Sequence, residues 1–341
     1  MTKVTRKLLL SVLSVVLTVV ALGATTFAWF TITNVASVQA FDADFKANQG
    51  IEIAIGDMST GGYNDLNWVT NITAQMVYDY INATHLGTGQ TEFEFDHVTT
   101  EDGITFKKIN STYNFDTLPN RIGAGYLEIP LHFRSESAEA IELSLLSFMS
   151  SLQSWRVDVP FIVGLDSFGD PINLDPSSDP INVYGHDAIR VGFTAEEFVD
   201  NAGVREAQPL RTTVFEKDAS STNYVLGGGT LDLSGGLDYN GAPGAVNYFY
   251  AKNSTLPQGA AAVTLPNTEV SINATNSTVL NLFRYYDEVG TQLYAEHDPG
   301  ATFYGKLTLR IWVEGWDANA YNAVLGSTLT VELSFTGKLP E

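Results

Sequence analysis

The 341-residue chain has no cysteine. That excludes disulfides, thiolate zinc sites, iron–sulfur clusters and cysteine nucleophiles together. Basic residues are also scarce, 18 Lys and Arg against 39 Asp and Glu, for a formal net charge of −21. Phosphate binding needs a Lys/Arg footprint, and a pI near 4.4 does not supply one. Nucleic acid is therefore not an expected partner. Histidine occurs five times, at His85, His97, His132, His186 and His297, and none lies within five residues of another. The H-E-x-x-H pattern of zinc hydrolases is absent, as are the G-x-S-x-G elbow and the Walker and dinucleotide fingerprints. Gly185-His186-Asp187 and Glu296-His297-Asp298 set carboxylates beside imidazoles, but the expected place for these histidines is exposed loop. No enzyme is expected; an extracellular hydrolase with a distant carboxylate pair is the remaining catalytic alternative.

What the chain does have is apolar material, with 44% hydrophobic residues. A wholly disordered acidic polymer is excluded. Some of that material sits at the start. Lys3, Arg6 and Lys7 are the only charges in residues 1–41, and an uncharged run follows from Leu8 to Phe30. A positive n-region, an apolar h-region and small residues at Ala21, Gly23, Ala24 and Ala28 read as an export leader over residues 1–28. Thr26-Phe27-Ala28 and Leu22-Gly23-Ala24 are competing cleavage sites. The run is also long enough to stay as an apolar anchor helix. Either way the rest of the chain is expected outside the membrane, at the cell surface or beyond it, with the leader its only membrane contact.

The rest reads as mainly β. Ile51–Ile55, Leu127–Phe133 and Ile141–Leu145 alternate with period two, and Ala188–Phe193, Gly305–Val313 and Ser327–Phe335 continue the style. Long strands split by turn clusters predict a jelly-roll-like β-sandwich over residues 46–341. A few short helices are expected. Asp65–His85 has apolar residues at Trp68, Ile72, Met76 and Tyr80. Thr194–Glu197 carries a capping box, and Asp317–Leu325 stops at Gly326. Residues 199–270, rich in glycine, are expected to be long loop insertions.

Calcium is the best cofactor expectation, since hard oxygen ligands are plentiful. Asp170, Asp175 and Asp179 cluster in FGDPINLDPSSDP, and Asp232 and Asp238 lie in the glycine-rich stretch. Solvated turn residues are the competing explanation for both groups. Six N-x-S/T sequons start at Asn71, Asn82, Asn110, Asn253, Asn273 and Asn276, and are possible glycosylation sites. Trp312 and Trp316 bracket IWVEGW; Trp312 is expected in the sandwich core, with a subunit interface as the alternative for either.

The junction GATTFAWFTITNVASVQAF resembles the leader junction of the TasA/camelysin group of exported bacterial proteins, through Gly23, Thr26, Phe27, Ala28 and Phe30. YLEIPLHFRSESAEAIELSL (126–145) resembles a strand–turn–strand unit of those jelly rolls. The closing segment 310–335 is similar to that of exported proteins with this leader type in Firmicutes and Tenericutes. The resemblance implies cleavage at Ala28 and a fibre-forming subunit of a surface or matrix filament. The segment from Trp29 to Phe45 would then be a donor strand to a neighbouring copy. Trp29, Phe30, Ile32, Val35, Val38, Phe41 and Phe45 are its candidate assembly residues. The residues alone permit the same segment to be the first strand of its own sheet. The function expected is a homopolymeric structural protein. The alternative is a monomeric, surface-anchored carbohydrate- or ligand-binding β-sandwich stabilised by calcium.

Overall fold

The computed structural model describes residues 45–48, 50–58, 65–165, 170–201, 204–217, 230–232, 244–254, 262–264, 267–284, 302–315, 317, 320–321, 324 and 326–339. The leader, the cleavage site and the assembly residues from Trp29 to Phe41 lie outside them, as do Asp238, His297 and Trp316.

The chain is mainly β, and two sheets face each other across one core. The smaller sheet runs in the order β3 (Asn71–Ile72), β1 (Phe45–Asn48), β15 (Leu329–Lys338), β8 (Ala140–Ser150), β12 (Thr278–Asn281). The larger sheet centres on β14 (Phe303–Glu314). On one side β14 pairs with β9 (Ile189–Ala195), then β10 (Arg211–Glu216) and β11 (Thr268–Glu269). On the other it pairs with β7 (Leu127–Ser135), which carries β2 (Ile51–Ile55). Beyond the start of β7, β4 (His97–Thr100) takes over beside Val313 and Glu314 and leads to β5 (Phe106–Ile109) and β6 (Phe115–Thr117). The short β13 (Phe283–Arg284) flanks the start of β14.

Alternation decides which face is buried. Leu127, Ile129, Leu131 and Phe133 of β7 stand opposite Ile311, Leu309, Leu307 and Gly305 of β14. They meet Val331, Leu333 and Phe335 of β15 in one cluster. Phe335 packs edge-on against Phe133 at 5.0 Å and against Phe193 at 6.4 Å, which ties the sheets together. The chain changes sheets between β1 and β2, at Gly50, whose φ of +72° suits a residue without Cβ.

Several sequence expectations need correction. Residues 65–85 are not one helix. Helix α1 is Ala74–Thr84, capped by Thr73, whose Oγ1 accepts from the Met76 amide. Val77 and Ile81 are its buried residues, while Ile72 belongs to β3 and Trp68 lies beside Tyr304. Thr194 continues β9; Glu196 and Glu197 are spent on Lys306 and Arg211 rather than on a capping box. After β14 the described residues of 317–327 are linked by i→i+3 backbone bonds, from Asp317 to Glu314, Ala320 to Asp317, Val324 to Tyr321 and Ser327 to Val324, with 3₁₀ geometry at Val324 and Gly326. Residues 199–270 are not loop alone. They hold β10, paired with β9 along its whole length, and helix α2 (Ala245–Asn253), which buries Tyr248 and Phe249. Leu145 was expected inward with Ile141 and Leu143. A bulge at Ser144 shifts the register, and Leu145 is 44% exposed.

Trp312 is fully buried, but on the far face of the large sheet. There it meets Phe106 edge-on at 5.3 Å, and Phe106 stacks on Tyr126 at 4.0 Å. The segment carrying β4 to β6 folds over this face. It is tied down at Gly125, whose φ is +79° and where a Cβ would come within 2.5 Å of the Asp96 side chain. Gly125→Ala should therefore cost about 2–3 kcal/mol, measured by urea unfolding, since strain and overlap act at one backbone position.

Candidate functional site

The outward positions of the large sheet form a charged stripe that is closed on itself. Arg134 on β7 meets Glu52 on β2 at 2.6 Å, and its guanidinium lies over Trp68. Lys306 meets Glu196 at 2.8 Å. Arg310 meets Glu128 across the strand pair at 2.8 Å and donates to Thr194 Oγ1 at 2.9 Å. Arg121 bridges Asp57 and Glu128, and lies over the Tyr80 ring. Burial alone would raise the Asp57 carboxyl, but the Arg121 hydrogen bond and charge hold it below the usual range. Cross-strand pairing of this kind stabilises a sheet face; it presents no activated nucleophile.

The stripe ends in the interior. Arg190 on β9 stands opposite Glu216 on β10, 2.9 Å away, and reaches Asp317 at 2.7 Å. All three are at most 2% exposed. Next to them, Trp312 Nε1 donates to the buried Glu314 carboxylate at 3.0 Å.

The histidines are where sequence reasoning erred most. All four described ones are buried, not exposed on loops. His85 closes α1, and its Nε2 accepts from the Glu128 amide at 2.9 Å. That fixes the proton on Nδ1, which donates to Thr84 Oγ1. His132 Nε2 donates to the Gly56 carbonyl at 3.0 Å. His186 lies between Ser150 and Lys217. His97 sits on β4 beside Val313. Burial pushes each of the four down to about 4, helped at His186 by the Lys217 ammonium. Each works as a neutral packing group, and no sequence signal separates such a histidine from a loop one.

Among the described residues no three His, Asp or Glu side chains converge as metal ligands. Asp175, a calcium candidate, accepts from the amide and hydroxyl of Ser177 and the amide of Ser178. Those bonds lower its pKa. Asp170 and Asp179 are exposed, and Asp232 lies on the short strand Thr230–Asp232. Of the six sequons, Asn276 is 6% exposed and its amide donates to Glu269 and Ser271, so a glycan there would require the turn to open. Asn110 and Asn273 organise turns through Thr112 and Thr275, while Asn71, Asn82 and Asn253 are partly exposed.

The sheet edges are the more open features. β8 pairs with β15 along its whole length, but β12 covers only Ala140–Glu142 on the other side. From Ser144 to Ser150 that outer edge has no partner strand among the described residues. Leu145 and Met149 are exposed there, and residues 143–155 carry no charge; the strand that follows, Leu152–Trp155, pairs with Ile181–Tyr184. Long uncharged edges invite another strand. β1 is not an edge: it lies between β3 and β15, antiparallel to the first and in parallel register with the second, Phe45 opposite Leu333 and Asn48 opposite Thr336. β15 extends upstream of that pairing by Leu329–Glu332.

No described helix is long and apolar enough to cross a membrane. Comparison with protein-family models, with curated proteins and with solved structures finds no match to this chain.

Proposed function

We propose that the chain is an exported structural subunit of a cell-surface or extracellular-matrix filament. In this reading it is a jelly-roll-like sandwich that joins copies through its N-terminal strand. The supporting observation is the parallel slot of β1. The strands nearest the two ends of the described chain, β1 and β15, lie side by side, and Phe45 is the last of the candidate assembly residues. A parallel partner does not come from a tight hairpin. The slot can therefore accept the same strand from a neighbour, in the same register, when the chain swings at Gly50. Residues 41–44 of the entering strand would run beside Leu329–Glu332. Head-to-tail exchange of this type is heterologous and gives a filament when the rotation does not close.

Negative-stain electron microscopy of protein recovered from the cell surface tests this. Regular filaments are the expected result. Val35→Asp with Val38→Asp should abolish them while thermal unfolding stays within a few degrees of the parent. A parent chain seen only as single particles, or a double variant that still polymerises, would sink the reading.

A further inference from the structure

We infer that the free edge of β8 is an interface between two copies of this chain, which pair antiparallel about a two-fold axis through Ser147. This goes beyond strand exchange, because it uses a different strand and a symmetric contact.

The edge has three properties that together select a second copy. First, Ser144–Ser150 is unpaired on its outer side among the described residues, whereas its inner side is saturated by β15. Its amides and carbonyls on that side are available for a ladder. Secondly, residues 143–155 are uncharged in a chain of net charge −21. Two copies repel over most of their surfaces, whereas the paired segment itself carries no charge; the nearest carboxylate across the sheet is Glu332, opposite Ser147 on β15 and so one strand removed from the contact. Thirdly, the sequence is self-complementary. With Ser147 opposite its own copy, Leu145 stands opposite Met149 of the second copy and Leu146 opposite Phe148. Leu145 and Met149 share the exposed face, and Leu146 and Phe148 share the face packed on the core. The bulge at Ser144, whose hydroxyl donates to the Ser334 carbonyl at 3.0 Å, brings Leu145 onto the outer face. The usual devices that protect an edge, lysine or proline, are absent from this segment.

The absence of native cysteine gives a clean test on the full chain. Residues directly opposite in an antiparallel pair have Cα atoms about 4.5–5.5 Å apart, inside the range a disulfide spans. Ser147→Cys should form a covalent dimer under mild oxidation, about tenfold or more faster than Thr70→Cys, an exposed position off the edge. Leu145→Cys and Met149→Cys should crosslink poorly alone and well when mixed. Equal rates at Ser147 and Thr70, or no gain on mixing, would overturn the pairing. Denaturing gels read the crosslink whether or not filaments form. Filaments without it would sink this interface alone, and the crosslink without filaments would sink the strand-exchange reading alone.

Discussion

Arg190→Met should destabilise the protein by about 3–5 kcal/mol, because it removes the cation held between two buried carboxylates, Glu216 and Asp317. Glu216 and Asp317 are at most 2% exposed, and both lean on the one guanidinium. Asp317 comes from the turn after β14 and Glu216 from β10, so one side chain joins the sheet to its C-terminal turn. The guanidinium also donates to the Ile189 carbonyl at 3.1 Å. Lysine offers a point charge without the planar fork, so Arg190→Lys should recover only part of the loss. Adding Glu216→Gln and Asp317→Asn to Arg190→Met should recover more, since the cost is mainly the buried charge left without that cation. Urea unfolding of the series measures each step. A single Arg190→Met variant within about 1 kcal/mol of the parent would refute the account, because typical domains have only about 5–15 kcal/mol in all.

That network also marks what the sequence could and could not tell. Strands with clean alternation, such as Leu127–Phe133 and Gly305–Val313, are legible, because one face meets the other sheet and the period survives. Leu145 breaks the rule through a single extra residue at Ser144, which alternation cannot foresee. β10, RTTVFE, is hidden by its glycine-rich surroundings although its Thr and Val are ordinary strand residues. Ile72 falls on a helical period with Met76 and Tyr80, yet the chain turns at Thr73 and the strand β3 takes Ile72. The charged stripe is legible only as alternating polar positions. Which cation meets which carboxylate depends on the β2–β7–β14–β9–β10 order, a long-range property. The edge of β8 left open among the described residues is likewise a fact of sheet order, visible only once the pairing of β12 is known to end at Thr278, opposite Glu142.

Stability should fall steeply as the pH drops from 6.5 towards 4. The sign follows from the four buried histidines, each lowered to about 4 from an ordinary 6.5. Above pH 6.5 the imidazoles are neutral in both states and contribute no slope. Below it the unfolded chain takes up protons that the folded chain refuses, so protonation favours unfolding. At pH 5 the cost is on the order of 2 kcal/mol for each of His85, His97 and His132, and less for His186, which is shallower and lies 3.4 Å from the Asp187 carboxylate; together they take up a large share of an ordinary domain's stability. His85 has a further reason to resist: a proton on Nε2 would displace the Glu128 amide that donates there. A competing effect has the opposite sign. With a net charge of −21, acid relieves repulsion and should stabilise the fold. That relief comes mainly from carboxylates, which ordinarily titrate near 4, so the window from pH 6.5 to 5 isolates the imidazoles. Asp57, Asp102 and Asp175, all held below the usual range, add to the loss only at still lower pH. Urea midpoints at pH 7.5, 6.5, 5.5 and 5 would trace the curve. His132→Gln keeps a donor for the Gly56 carbonyl while removing one titration, and should flatten the slope by about a quarter, one imidazole in four. A flat profile across that window, or an unchanged slope in the variant, would mean that the histidines are not held neutral by burial.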